Sequence, residues 1–350
     1  MDYQKLKSQY KSKQQINVLA DNLKLMTQNV KQKQSAEHHA REAELEKIRA
    51  QAARAAIISS LEYASKIQKN LLPPESEFKE SFSDYSIVWN QRDIVGGDIY
   101  WIKKFFDGAV LCVCDCTGHG TPGALLTMLV VSAFEAMVNE SNYKNPAEII
   151  RLLDQRLVKV LNVTSTIEQS KESIIDIKDG CDLAVLYISN EGDVSVSSTN
   201  IPVFICDGNE ITKIKGQKLF VGEGQITKDD QVKVTIIPKN PKKKFYISTD
   251  GLFDQVGGER SIPFGYNTFK QIILDNHNQK QRIISDKIWD EFELYRGDQV
   301  RRDDVEFISF KPNIKDAVDT IDRRIKDRRI MGRRLDDGKN IIKIKKPQDR

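Results

Sequence analysis

Glycine and proline are missing from the first 72 residues, and the first interruption is Pro73-Pro74. Without turn formers, that stretch is excluded from hairpins and compact loops, and its Gln-, Lys-, Glu- and Ala-rich composition favours long helix. Cysteine is scarce and odd in number, five in 350 residues, so no closed disulfide framework is expected. Three of the five, Cys112, Cys114 and Cys116, alternate on one apolar run and share a face. They lack the turn that wraps thiolates around zinc, so they read as small core residues in a reducing compartment. No strongly apolar run approaches the roughly 18 residues of a bilayer span; the longest is Leu125–Phe134. Met1-Asp2-Tyr3-Gln4 also lacks the apolar centre of a signal peptide, so the expected location is cytoplasmic. A large net charge is absent too. The overall +4 arises because residues 311–350 hold 14 Lys/Arg against 7 Asp, leaving the rest of the chain slightly acidic.

What is present falls into four stretches: a helical, coiled-coil-like segment 1–56, a linker helix 57–74, a globular domain 75–312 and a basic tail 313–350. In the first, Ile16, Leu19, Leu23, Met26 and Val30 step 3-4-3-4, the spacing of a coiled-coil seam. The series lapses over the polar residues Lys31–His39 and resumes, shifted by one, at Leu45, Ile48, Ala52 and Ala55. Two helical pieces with a discontinuity near residues 31–40 are therefore expected. Self-association as a homodimer and packing on the chain's own domain both remain open. His38-His39 is expected to be solvated, because adjacent helix residues do not face one point.

The globular domain shows ten strand-like runs, at Tyr85–Trp89, Ile99–Lys103, Ala109–Asp115, Leu183–Ser189, Asp193–Ser198, Val203–Asp207, Glu210–Ile214, Val232–Ile237, Phe245–Thr249 and Val305–Phe310. Several are joined by hairpin signals such as Asn190-Glu191-Gly192-Asp193 and Asp207-Gly208-Asn209. Helical patterns fall at Pro122–Asn139, Pro146–Leu161, Asn267–Asp275 and Gln279–Tyr295, and residues 162–180 look like an irregular surface loop. Hairpin-linked strands with helices inserted in blocks predict an α+β fold on two largely antiparallel sheets.

Aspartates recur at the ends of these strands. Asp98 follows Val95-Gly96-Gly97, Asp115 ends an apolar strand before Gly118 and Gly120, Asp250 precedes Gly251, and Asp303-Asp304 opens the last strand. Clustered carboxylates repel one another unless cations intervene, and hard divalent ions are the ordinary remedy. With no His/Cys set at zinc spacing, oxygen ligation points to magnesium or manganese. Two such ions about 3.5–4 Å apart can share one carboxylate and activate water toward phosphorus. Taken singly, each Asp–Gly pair reads as a turn and not as a ligand; the set together is what points to metal.

Val95-Gly96-Gly97-Asp98, Asp115-Cys116-Thr117-Gly118-His119-Gly120, Ser248-Thr249-Asp250-Gly251-Leu252-Phe253-Asp254 and Arg302-Asp303-Asp304-Val305 resemble, in that order, the motifs of the SpoIIE/RsbU-type bacterial branch of the PPM metal-dependent serine/threonine phosphatases. The similarity spans about residues 57–312, and Asp179-Gly180-Cys181-Asp182, Asp254-Gln255-Val256-Gly257-Gly258 and Pro263-Phe264-Gly265-Tyr266 look closest to a SiaA-like subgroup. The resemblance implies a β-sandwich flanked by helices with two Mn2+ or Mg2+ ions at one end. It implies Asp115 as the shared ligand, Asp98 and the Cys116 carbonyl on one ion, and Asp250 and Asp303 on the other, Asp303 being preferred to Asp304 within its pair. It leaves His119 either protonating the leaving alkoxide or ordering its loop, and offers Arg92 as a phosphate contact. Cys116-Thr117 and Ser198-Thr199-Asn200-Ile201-Pro202 depart from the family pattern without removing a carboxylate. The implied substrate is a phosphorylated STAS-like regulatory protein or anti-sigma-factor antagonist. Glu62–Pro73 resembles a segment that acts as a switch in such phosphatases, which leaves a switching helix and a fixed docked one both open. The competing expectation is a catalytically silent phosphatase-fold scaffold that binds a partner through its coiled coil.

In the tail, Asp322-Arg323-Arg324-Ile325, Asp327-Arg328-Arg329-Ile330 and Gly332-Arg333-Arg334-Leu335 repeat every five residues. Five residues advance a helix about 140°, so the arginine pairs spiral instead of forming a stripe. Interspersed aspartates and the lack of aromatics argue against nucleic acid and for a solvated or autoinhibitory extension.

Overall fold

The computed structural model describes residues 3–137, 142–167, 179–228 and 231–314; the arginine repeats of the tail lie outside the described residues. The N-terminal segment is one helix, α1, Tyr3–Leu71, 69 residues long. The discontinuity expected near residues 31–40 does not occur. Lys31–His39 interrupts only the apolar series; its side chains are good helix formers with no Gly or Pro to break the backbone, so the helix continues while its stripe shifts. Leu19, Leu23, Met26 and Val30 are exposed. His38 and His39 are exposed as expected, yet both Nδ1 atoms approach Glu42 Oε2, at 3.3 and 3.6 Å.

The chain divides between Glu62 and Tyr63 into two compact units. In the second, α1 ends before Pro73-Pro74, whose rings cannot continue a helix. There follow α2 (Glu75–Ser81), β1 (Phe82–Asn90), β2 (Asp98–Lys104), β3 (Gly108–Cys116), α3 (Gly120–Met137), α4 (Pro146–Ile167), β4 (Cys181–Ser189), β5 (Val194–Ser198), β6 (Val203–Cys206), β7 (Ile211–Ile214), β8 (Thr235–Ile237) and β9 (Lys244–Ser248). The chain continues through α5 (Gly251–Asp254), β10 (Val256–Gly257), β11 (Ile262–Pro263), α6 (Gly265–Asp275), α7 (Gln281–Arg296) and β12 (Val305–Pro312). The ten expected strands are present. β10 and β11, two residues each, pair as a small ribbon that no periodicity announces. The helix expected to stop at Leu161 runs on to Ile167, so the segment read as an irregular loop is partly helical, and 168–178 lie outside the described residues.

Two five-stranded antiparallel sheets, ordered β1-β12-β9-β6-β7 and β2-β3-β4-β5-β8, stack face to face. Alternation along each strand sorts side chains between faces. Tyr100, Ile102, Leu111, Val113, Leu186, Val203, Phe245, Ile247, Ile308 and Phe310 meet between the sheets. There Phe310 stacks on Phe82 and Phe245, with ring centroids 4.3 and 5.1 Å apart. Each fully buried side chain of this size stabilises by about 1.5–3 kcal/mol. The outer face of the β3 sheet packs under α3 and α4, and that of the β12 sheet under α6 and α7. By length and composition α3 would cross a bilayer, but Leu126, Val130, Val131, Phe134 and Met137 are buried in this layered core; Leu125 is exposed. All five cysteines are buried free thiols, as expected of core residues.

Candidate metal centre

The strands deliver their terminal aspartates to one end of the sandwich. Asp98 opens β2 directly opposite Asp115 near the end of β3, and Asp182 on β4 is Asp115's partner on the other side. From the facing sheet, Asp250 follows β9, while Asp303 and Asp304 precede β12, β9's neighbour. Asp98 is buried, Asp115 half-buried, and Asp250 and Asp303 are exposed. The Cys116 amide donates to the Gly97 carbonyl at 3.0 Å. A side chain at Gly97 would place its Cβ 2.5 Å from the Gly118 carbonyl and 2.8 Å from that of Cys116. Glycine is what lets the strand bearing Asp98 approach the turn that exposes the Cys116 oxygen.

Like charge pervades this end. Burial, then Asp250, Asp303 and Asp182, drive the Asp115 carboxyl well above the usual carboxylate range. Burial, then Asp115 and Glu306, do the same to Asp98, against a 2.7 Å hydrogen bond from Thr249 Oγ1 to Asp98 Oδ2. Burial, with Asp303 and Asp254, pushes Asp250 up to about 6. Among the described residues none of these carboxylates has an ion-pair partner. Such mutual repulsion calls for compensating cations, and an all-oxygen donor set suits hard divalent ions. The donor chemistry therefore fits hard divalent ions such as Mn2+ or Mg2+. The carboxylates neighbour one another without closing on one point: among the described residues, three ligand atoms within 4.8 Å of each other occur only at His38, His39 and Glu42 on α1.

The other expected residues are placed as follows. Asp304 is buried and spent on the backbone: Oδ1 accepts from the Arg92 amide at 2.6 Å and Oδ2 from the Gly97 amide at 2.7 Å. His119 leaves the turn toward Asp93, Nδ1 to Oδ2 3.1 Å. The Arg92 guanidinium donates to the Arg302 carbonyl at 2.9 Å, beside Asp303. It therefore borders the acidic cluster with part of its donor capacity used.

Four contributors escaped the sequence. Asp182 is held by Asn200, whose Nδ2 donates to its Oδ1 at 2.8 Å; burial, then Cys181 and Asp250, raise it to about 6. Only the β3–β4 register reveals it. Asp93 orders His119, and Gln68 on α1 donates to the Gly96 carbonyl at 2.7 Å. Glu306 is fully buried between the sheets. A charged residue in an otherwise alternating apolar strand was the one available signal for it.

The sequence model of the family described as Stage II sporulation protein E (SpoIIE) matches residues 107–313. Among solved structures, the SiaA-PP2C domain of Pseudomonas aeruginosa is similar at 29% identity, covering 74% of this chain and 98% of that one, with a TM-score of 0.66. The PP2C phosphatase domain of SpoIIE from Bacillus subtilis, with a fragment of its regulatory domain, shares the fold at 15% identity, with a TM-score of 0.50, covering 66% of this chain and 63% of that one. None of the curated proteins compared matches the chain.

Proposed function

Because the chain belongs to the SpoIIE family of PPM-type, metal-dependent protein phosphatases, we propose that Asp98, Asp115, Asp250, Asp303 and the Cys116 carbonyl form its metal centre. We infer further that its substrate is a phosphoserine or phosphothreonine on a small STAS-like regulatory protein. The observation that carries the first inference is the delivery of strand-end aspartates from two facing sheets to one end of the sandwich, mutually repelling and without cationic partners.

Asp115 would serve both ions, a role supported by its flanking by Asp98 and Asp182 in its own sheet and its proximity to Asp250 and Asp303. Asp98 and the Cys116 carbonyl would hold one ion, Asp250 and Asp303 the other. When bound, the pair of ions supplies a nucleophilic water at neutral pH and offsets charge on the phosphoryl group. The chain's own residues orient what arrives. Arg92, fixed through its amide to Asp304, sits at the rim to meet a phosphate oxygen. His119, held by Asp93, is placed either to give a proton to the leaving serine or threonine oxygen or to keep the glycine turn in shape. The exposure of Asp250 and Asp303 suits a phosphorylated side chain presented on the surface of a folded protein.

The STAS-like substrate is supported by the motif resemblance to the SpoIIE/RsbU branch, and the cytoplasmic setting by the free buried thiols. The exposed apolar seam of α1 supports a homodimer through the N-terminal helices, since an isolated helix with unburied Leu19, Leu23, Met26 and Val30 gains little from solvent. Hydrolysis of a chromogenic phosphate ester with Mn2+ tests the chemistry, and loss of turnover in Asp115→Asn and Asp250→Asn assigns it. Phosphoproteomics of a strain lacking the protein tests the substrate: a STAS-like protein that stays phosphorylated supports it, and an unaltered set of such proteins overturns it.

A further inference from the structure

Glu306 lies on β12, two residues before Ile308, and alternation turns it to the same inter-sheet face as Ile308 and Phe310. On the facing sheet, Asp98 shares a face with Tyr100 and Ile102, and Asp115 with Leu111 and Val113. The three carboxylates are thus the terminal members of the same inter-sheet layer, and Glu306 occupies its interior side. It is fully buried, and neither of its carboxylate oxygens has a hydrogen-bond partner. Two hydroxyls beside it are already committed: Thr249 Oγ1 donates to Asp98 Oδ2 and accepts from the Glu306 amide at 3.0 Å, and Ser248 Oγ donates to the Glu306 carbonyl at 2.9 Å. Asp98 and Tyr100 both feel the charge of Glu306, and Glu306 feels that of Asp115.

A buried carboxylate with no partner is heavily penalised, and an apolar residue would complete this layer of the core without that cost. What the position offers instead is two unpartnered carboxylate oxygens on the inter-sheet face that Asp98 and Asp115 also share. We propose that Glu306 is a further oxygen donor of the divalent-metal centre, reaching it from the interior of the sandwich while Asp98 and Asp115 reach it from the strand ends. This rests on the assignment of Asp98 and Asp115 as ligands. It adds an anchor to the ion on the Asp98 side, so that this ion is held against exchange with solvent.

Calorimetric titration of the chelator-treated full chain with MnCl2, alongside Glu306→Gln and Glu306→Thr, tests it, with melting temperature measured in the presence and absence of Mn2+. The wild-type chain is expected to bind Mn2+, and both variants to bind at least one ion about tenfold or more weakly, the scale set by supporting carboxylates at other metal sites. The Mn2+-induced rise in melting temperature is expected to shrink, while metal-free Glu306→Gln melts close to wild type because one unpartnered buried polar group replaces another. Glu306→Gln keeps the shape of the side chain and carries the test if Glu306→Thr does not fold. Unchanged affinity and stoichiometry in a folded Glu306→Gln, with tight binding by wild type, overturns the role of Glu306 alone. Failure of the wild-type chain to bind Mn2+ overturns the metal-centre assignment and Glu306 with it.

Discussion

The Gln68 side-chain amide donates to the Gly96 carbonyl at 2.7 Å, two residues before Asp98, and to Thr127 Oγ1 at 2.9 Å. Its own oxygen accepts from Gln91 Nε2 at 2.8 Å. One fully buried side chain therefore joins the last turns of α1 to α3 and to both ends of the loop that carries Arg92 and leads to Asp98. If these turns act as a switch, Gln68 is the lever. Gln68→Ala strands the Gly96 carbonyl and costs about 1–3 kcal/mol. The expected result is a Mn2+ requirement for ester hydrolysis raised roughly tenfold, with a melting temperature lowered by only a few degrees. A variant that unfolds less cooperatively but keeps the wild-type Mn2+ requirement would make Gln68 a packing residue only. A chain beginning near Ser59 with unchanged rate and metal dependence would remove the upstream helix from control.

Asp115→Asn is expected to abolish turnover by at least a hundredfold and to empty both metal positions, because the residue stands between Asp98 and Asp182 and faces Asp250 and Asp303. Asp250→Asn is expected to empty one. Titration with Mn2+ distinguishes them by stoichiometry: retention of one ion in Asp115→Asn would show that the carboxylate is not shared.

The strands and their order along the chain were legible because short apolar runs such as Ala109–Asp115 and hairpin turns such as Asp207-Gly208-Asn209 stand out in the sequence. The aspartates were legible as candidates because each lies at one end of such a strand, Asp98 and Asp250 directly beside a glycine. What the sequence concealed depends on pairing. Asp182 joins the cluster only because the register sets it against Asp115, and a one-residue slip would turn it away. Asp304 and Asp303 are adjacent letters with opposite fates, one buried on two backbone amides and one exposed. The unbroken α1 was misread because the lapse at Lys31–His39 is a change of stripe and not of backbone.

Asp304 should behave differently from its neighbour. Both of its oxygens receive backbone amides, those of Arg92 and Gly97, so Asp304→Ala leaves one buried and one part-buried donor unpaired and lets the loop before Asp98 shift. A loss of about 2–4 kcal/mol is expected from the two stranded groups, read as a lower denaturant midpoint in metal-free protein. Asp303→Ala, at an exposed position, is expected to leave the metal-free midpoint unchanged or slightly raised, while weakening Mn2+ binding. Equal destabilisation by the two substitutions would contradict this division of labour.

The acidic cluster also fixes how stability depends on pH. Asp250 and Asp182 are each raised to about 6 from an ordinary value of 3.8, burial being the first cause in both. The native state therefore binds protons more tightly than the unfolded chain between about pH 4 and 6. The stability this confers is complete below pH 3.8 and is lost as pH rises through about 6. Metal-free protein should accordingly show a falling contribution to melting temperature across that window. Bound Mn2+ compensates the ionised carboxylates, so the gap between melting temperatures with Mn2+ and with chelator should widen as pH climbs from 5 to 7. Asp182→Asn, which removes one of the two titrating groups, should flatten the metal-free slope. Parallel curves with and without Mn2+ across pH 5–7 would mean that the ions do not bind at this cluster.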